Sequence, residues 1–154
     1  MAEYLRPNPQ LAERRHCAGQ AREIVGSRTA PLDKARAIYD RIVDSTFRRS
    51  ETRGCGLGNI KFMLETGDMG GKCANINSLY VGLARAAGLP ARDFFGIRVA
   101  DSAVSKSLDK SGDITKAQHC RAEVFVEGKG WLPETRRTCA RWCSKRATPS
   151  IARR

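Results

Sequence analysis

Six cysteines, at 17, 55, 73, 120, 139 and 143, and two histidines, at 16 and 119, are the side chains best suited to nucleophilic and proton-transfer chemistry in this chain. Cys73 follows two glycines and opens a run with helical spacing. Ile76, Leu79, Tyr80, Leu83, Ala84 and Ala87 repeat at i, i+3, i+4 intervals, the pattern of one buried face. Gly88 and Pro90 close that run. Cys73 shares the stripe, so its sulfur is expected on the core side, in the first turn of the helix. Unpaired N–H groups and positive dipole there favour thiolate over thiol. The alternative is simple packing, because free cysteine is among the most buried residue types.

Thiol acyl transfer requires a thiolate, an imidazole to take and return a proton, and a polar group that orients the imidazole. His16 lies beside Cys17 in a polar segment and is expected to be a solvated surface residue. His119 opens a strand pattern in the part of the chain expected to pack on the Cys73 helix, where a structural role is the competing account. His119 and Cys120 with Cys139 and Cys143 could be forced into a four-ligand zinc set. They lack paired short spacings on both sides, so neither a metal nor another cofactor is expected.

The elements that must position these residues are legible as helices followed by strands. A weak apolar stripe runs from about Pro9 to Val25. Residues 31–47 form a stronger helix with Leu32, Ala35, Ile38, Tyr39, Ile42 and Val43 on one face. Residues 48–58 are a polar, glycine-rich connection, residues 59–65 a short helix, and residues 66–71 a glycine-rich turn into Cys73. Beyond Pro90 the period changes. Residues 93–100 read as a strand with Phe95, Ile97 and Val99 on one face, and residues 103–116 as a long loop. Residues 119–126 and the stretch from Trp131 flank a turn at 127–130, which looks like a hairpin. The predicted class is α+β.

At 154 residues, 41% hydrophobic and 29% charged, the chain suits one core. It has no run long enough to span a bilayer and no apolar signal segment, so as written it is expected to be cytoplasmic. The net charge is +12. Residues 134–154 hold seven Arg or Lys against one Glu, which concentrates half of that charge in the tail. A basic tail suggests nucleic acid or acidic lipid. Aromatics make up only 6% of the chain and no recognised nucleic-acid motif occurs, so no nucleic-acid partner is expected.

Gly71-Lys-Cys73, the helix ending at Arg92, His119-Cys-Arg-Ala-Glu-Val-Phe-Val126 and Gly130-Trp-Leu-Pro133 occur in the order found in the transglutaminase-like superfamily. The chain resembles a bacterial stand-alone member, a cysteine-protease-like domain, over roughly residues 30 to 133. The resemblance implies a papain-like core: N-terminal helices, with a nucleophile helix packed on an antiparallel sheet. It implies Cys73 as nucleophile and His119 as general base and acid. It divides the chain into an N-terminal helical segment at 1–29, the core at 30–133 and an aberrant tail at 134–154. Relatives are often exported.

In the superfamily an aspartate orients the histidine one residue beyond a Glu134-like position, and here that position is Thr135. Glu134 is a poor substitute, because adjacent strand residues point to opposite faces. The tail departs from any strand or helix pattern from Glu134 onward. With Glu134 written as GAG, its last base joined to the first two of any threonine codon gives GAC, an aspartate codon, and suitable codons continue as DPADVREVVLE. A frameshift near Pro133 is therefore the expected origin of the tail.

The expected activity is that of a transglutaminase-like thiol enzyme acting on peptide or protein amides through a Cys73 thioester, by hydrolysis or by acyl transfer to an amine. The missing third group predicts impaired turnover. The competing expectation is a catalytically silent binding or scaffold module.

Overall fold

The computed structural model describes residues 1–6, 14–97 and 118–134. A 3-10 turn at Ala2–Leu5 precedes α1 (Arg14–Val25), α2 (Pro31–Ser45), β1 (Phe47–Arg48), α3 (Ile60–Thr66), β2 (Gly70–Gly71), α4 (Cys73–Ala86), β3 (Ala91–Ile97), β4 (Gln118–Val126) and β5 (Gly130–Pro133). The fold is α+β, as the helix-then-strand order of the sequence implies.

α4 is the centre of the structure. Leu79, Val81, Leu83 and Ala84 are all but inaccessible, and Asn77 and Ser78 are buried beside them. The sequence pattern predicted a single buried stripe, whereas α4 is enclosed on nearly every side. Its neighbours explain this: α1, α2 and α3 pack on one side and β3 and β4 on the other. Gly82 permits the closest approach, since a methyl there would stand 2.5 Å from Ile60 Cδ1 and 3.4 Å from Cys17 Sγ. α1 joins the same core through Cys17, Ala21 and Val25.

α2 begins with Pro31 at its first position, where a missing N–H costs nothing. It buries Ala35, Ile38, Tyr39, Ile42 and Val43, but Leu32 of the same predicted stripe is 44% exposed. Leu32 sits in the first turn of α2. α3 is capped at Asn59, whose side chain accepts from the Phe62 N–H at 3.1 Å, and ends at Gly67 with φ 72°.

β3, β4 and β5 form an antiparallel sheet with β4 in the middle. Ala91 faces Val124, Phe95 faces Cys120, and Val124 faces Leu132. One face carries Cys120, Ala122, Val124 and Val126 onto the core. The opposite face stacks Arg92 over Trp131, with the guanidinium carbon 3.8 Å from the ring centroid. Arg92 also binds the buried Glu123 at 3.0 Å, and Tyr4 meets Trp131 edge to face at 5.0 Å.

The predicted strand at 93–100 starts earlier, at Ala91, and Val99 lies outside the described residues. Phe95 and Ile97, although on the core-side face, are 68% and 60% exposed. The glycine-rich turn before Cys73 is more ordered than its composition suggests, with β2 pairing in parallel to β1.

Candidate active site

No side chain caps α4 at Lys72. The backbone does so instead: the Ala74 N–H donates to the Cys55 carbonyl at 2.9 Å. The loop that carries Cys55 can lie this close because of its glycines. Gly56 has φ 93°, and a Cβ there would fall 1.6 Å from Asn75 Oδ1. Gly71 approaches the same side chain from the other direction, with a Cβ position 2.5 Å from Asn75 Cβ. The first turn of α4 is therefore clamped between two glycine backbones, and Cys73 and Cys55 are held together as a result.

β4 brings the remaining groups. The sulfurs of Cys55, Cys73 and Cys120 all lie within 4.8 Å of one another, and all three cysteines are free thiols. The Cys120 thiol, the His119 ring, the Cys55 thiol and the Cys120 backbone N–H all favour the charged form of the Cys73 sulfur. The Cys120 thiol has the largest effect. Together these donors outweigh desolvation and pull the Cys73 thiol down to about 4. The same negative sulfur drives the Cys120 thiol strongly upward, with burial adding to it, while burial is the main cause of the rise at Cys55. Cys17, enclosed in the helical core with no such donors, is pushed up to about 11 by burial. Among these four cysteines only Cys73 is held as a thiolate at neutral pH.

The sequence singled out Cys73 and His119, and the structure sets the His119 ring close enough to Cys73 to lower its thiol pKa. His16 lies elsewhere, 3.0 Å from Glu65 and about one-third exposed. The sequence reading missed Cys55 and Cys120. Two signals were available: the glycine bracketing of Cys55 in Gly54-Cys-Gly-Leu-Gly58, and the alternation that turns Cys120 inward.

Glu134 keeps β5 pairing for one further bond, its N–H donating to the Ala122 carbonyl at 3.0 Å. Its carboxyl faces the Tyr80 hydroxyl of α4, in the field of Arg36 and Asp40 of α2, and burial raises it to about 7. Neither Cys73 nor His119 is among the groups that act on this carboxyl. Thr135 and the rest of the tail lie outside the described residues.

A cleft of about 270 Å³ opens beside His119 and Cys120, lined also by Phe94, Phe95, Gly96, Ile97 and Arg121. A cavity of similar size, about 290 Å³, lies among the helices between Ile24, Arg41, Leu64 and Met69 and contains none of the clustered thiols.

A helix-borne cysteine under an antiparallel sheet that supplies a histidine is the arrangement of the papain-like thiol proteins. Residues 18–134 match the transglutaminase-like superfamily, and the chain belongs to it. An uncharacterized protein of Haemophilus influenzae is 37% identical over 141 residues, covering 85% of this chain and 38% of its own length. The fold is shared with a candidate cysteine protease from Cytophaga hutchinsonii (TM-score 0.62, 21% identity, 86% of this chain and 40% of that one). It is shared also with the periplasmic domain of TgpA from Pseudomonas aeruginosa bound to ethylmercury (TM-score 0.67, 18% identity, 94% and 50%). The chain therefore spans half or less of the length of these proteins. No helix among the described residues is long and apolar enough to cross a membrane.

Proposed function

We propose that this chain is the thiol-enzyme domain of a transglutaminase-like protein that cleaves or transfers amide acyl groups through a thioester on Cys73. The observation that carries this reading is the His119 ring set against Cys73, whose thiol is pulled down to about 4 by its neighbours. In the first step the Cys73 sulfur attacks the amide carbonyl and the C–N bond breaks. His119 gives its proton to the leaving amine and then accepts one from the incoming water or amine. The Cys73 backbone N–H is the natural donor to the oxyanion, because the Ala74 N–H is already committed to the Cys55 carbonyl.

Phe95 and Ile97, exposed beside His119, offer an apolar wall for the acyl side of the substrate. Peptide or protein amides with an apolar side chain near the reacting carbonyl fit that wall. Hydroxylamine trapping tests the reading. Incubated with a library of apolar peptide amides and hydroxylamine, the chain should yield acyl hydroxamates, and Cys73→Ala should yield none. Free acid in water alone marks a hydrolase, and preferential amide formation with added amines marks a transferase. No hydroxamate from any peptide would refute the enzymatic reading.

A silent binding module is the second reading. It is favoured by one feature, a threonine at 135 where the superfamily places the acid that orients the histidine.

A further inference from the structure

We propose that Cys55, Cys73 and Cys120 form a three-sulfur site for a thiophilic metal ion of the Zn²⁺ class. Three sulfurs around a tetrahedral zinc, each bonded at about 2.3 Å, stand about 3.8 Å from one another. Here all three lie within 4.8 Å, so closure on a metal needs at most about 1 Å of adjustment shared among three side chains. Rotation about the Cα–Cβ bonds supplies that without moving backbone.

The three sulfurs come from three separately anchored elements. Cys55 sits on the glycine loop tied to α4 through the Ala74 amide, Cys73 on the first turn of α4, and Cys120 on the central strand with only 2% of its surface exposed. Such a frame sets the sulfurs in place before a metal arrives, so little ordering entropy opposes binding. Thiolate sulfur is the donor that soft and borderline cations prefer, and the thiol protons leave to solvent as the metal enters. Three protein ligands leave a fourth position for water or for the imidazole of His119, which already contacts the Cys73 sulfur. The cleft lined by Phe95, Ile97 and His119 reaches Cys120 and gives the ion a way in. The separations along the chain, from 55 to 73 and from 73 to 120, explain why no short zinc spacing betrays the site in the sequence.

A metal held there occupies the sulfur assigned to acyl transfer, so loading silences the thiol. The binding itself does not depend on turnover and stands or falls separately from the enzymatic reading.

Cd²⁺ serves as the probe, because its thiolate complexes absorb in the ultraviolet. The phosphine-reduced full chain is titrated with Cd²⁺, and the cysteines left open to alkylation are then mapped by mass spectrometry. A thiolate band that saturates at a single Cd²⁺, with Cys55, Cys73 and Cys120 all protected, is the expected result. Cys55→Ser and Cys120→Ser should each weaken binding by about tenfold or more. Protection of Cys73 alone, protection of Cys139 and Cys143 instead, or the absence of a thiolate band would overturn the proposal. The mapping uses the unaltered chain, so it decides the matter even where a serine variant fails to fold.

Discussion

The Cys55 carbonyl accepts the Ala74 N–H at 2.9 Å and thereby caps the helix that carries Cys73. One backbone bond thus fixes the start of the Cys73 helix and brings a second thiol to it. The bond depends on Gly56, whose φ of 93° and lack of a side chain let the loop lie on Asn75. Gly56→Ala should lower stability by about 2 kcal/mol or more and slow thiol labelling of Cys73. Gly54→Ala is the control: it also has positive φ, 58°, but nothing within 4 Å of a Cβ, so about 1 kcal/mol is expected, with labelling unchanged. Urea denaturation and timed alkylation of both variants measure the two effects.

Asp93 predicts a pH dependence. Burial raises its carboxyl to about 6 from 3.8, against the Ser78 hydroxyl that donates to Oδ2 at 3.2 Å and the charge of Arg85. Its Oδ1 is buried and lacks a hydrogen-bond partner. A carboxyl whose folded pKa lies above its unfolded value costs stability above the folded pKa, and that cost disappears as pH falls below the unfolded one. Asp93→Asn should therefore stabilise the protein by about 1–2 kcal/mol above pH 6 and give no gain below 3.8. Thermal melts across that range test it. An equal gain at every pH would assign the effect to something other than ionisation.

On the outer face of the sheet, Arg92 stacks on Trp131 and binds Glu123, which is 6% exposed. Arg92→Ala should cost about 2–3 kcal/mol, through lost stacking and a buried carboxylate left with Arg121 alone, 2.9 Å away. Arg92→Lys should recover little of this, because an ammonium cannot stack on the indole while binding the carboxylate. Chemical denaturation of the two variants is the measurement.

Position 135 carries the test of the missing orienting acid. Thr135→Asp should raise the rate of hydroxamate formation by about tenfold or more, since a carboxylate both orients an imidazole and stabilises its charged form. Thr135→Asn should give a smaller gain. No change in either variant would mean that position 135 does not serve His119. The coding DNA tests the frameshift itself: an alternate frame beyond Pro133 should encode the aspartate–proline continuation.

How much of this was legible in the sequence depended on whether local pattern decided the outcome. The four longer helices and the three strands of the sheet follow from apolar periodicity, glycine and proline, because each element is specified by its own residues. The complete enclosure of α4 was not legible, since a helix's number of neighbours is a tertiary property. Leu32 and the exposed pair Phe95 and Ile97 failed for the same reason: periodicity names a face but not how far the facing element extends. Cys73 and His119 could be singled out from sequence because a helix start and a strand start are sequence features. Cys55 and Cys120 were missed because their meeting requires a glycine loop to fold back on α4, and no short spacing records that. Alternation sets Glu134 on the face opposite its neighbour in the strand, and its carboxyl faces Tyr80.

The rate of Cys73 alkylation as a function of pH, resolved by mass spectrometry in the unaltered chain and in His119→Ala, tests the central claim most directly. The account predicts that Cys73 labels faster than every other cysteine at about pH 6, with an apparent pKa far below that of an ordinary thiol. It predicts also that removing the imidazole moves that pKa upward. A Cys73 that labels only as an ordinary thiol does, near pH 8.5 and above, with the same profile when His119 is removed, would contradict it.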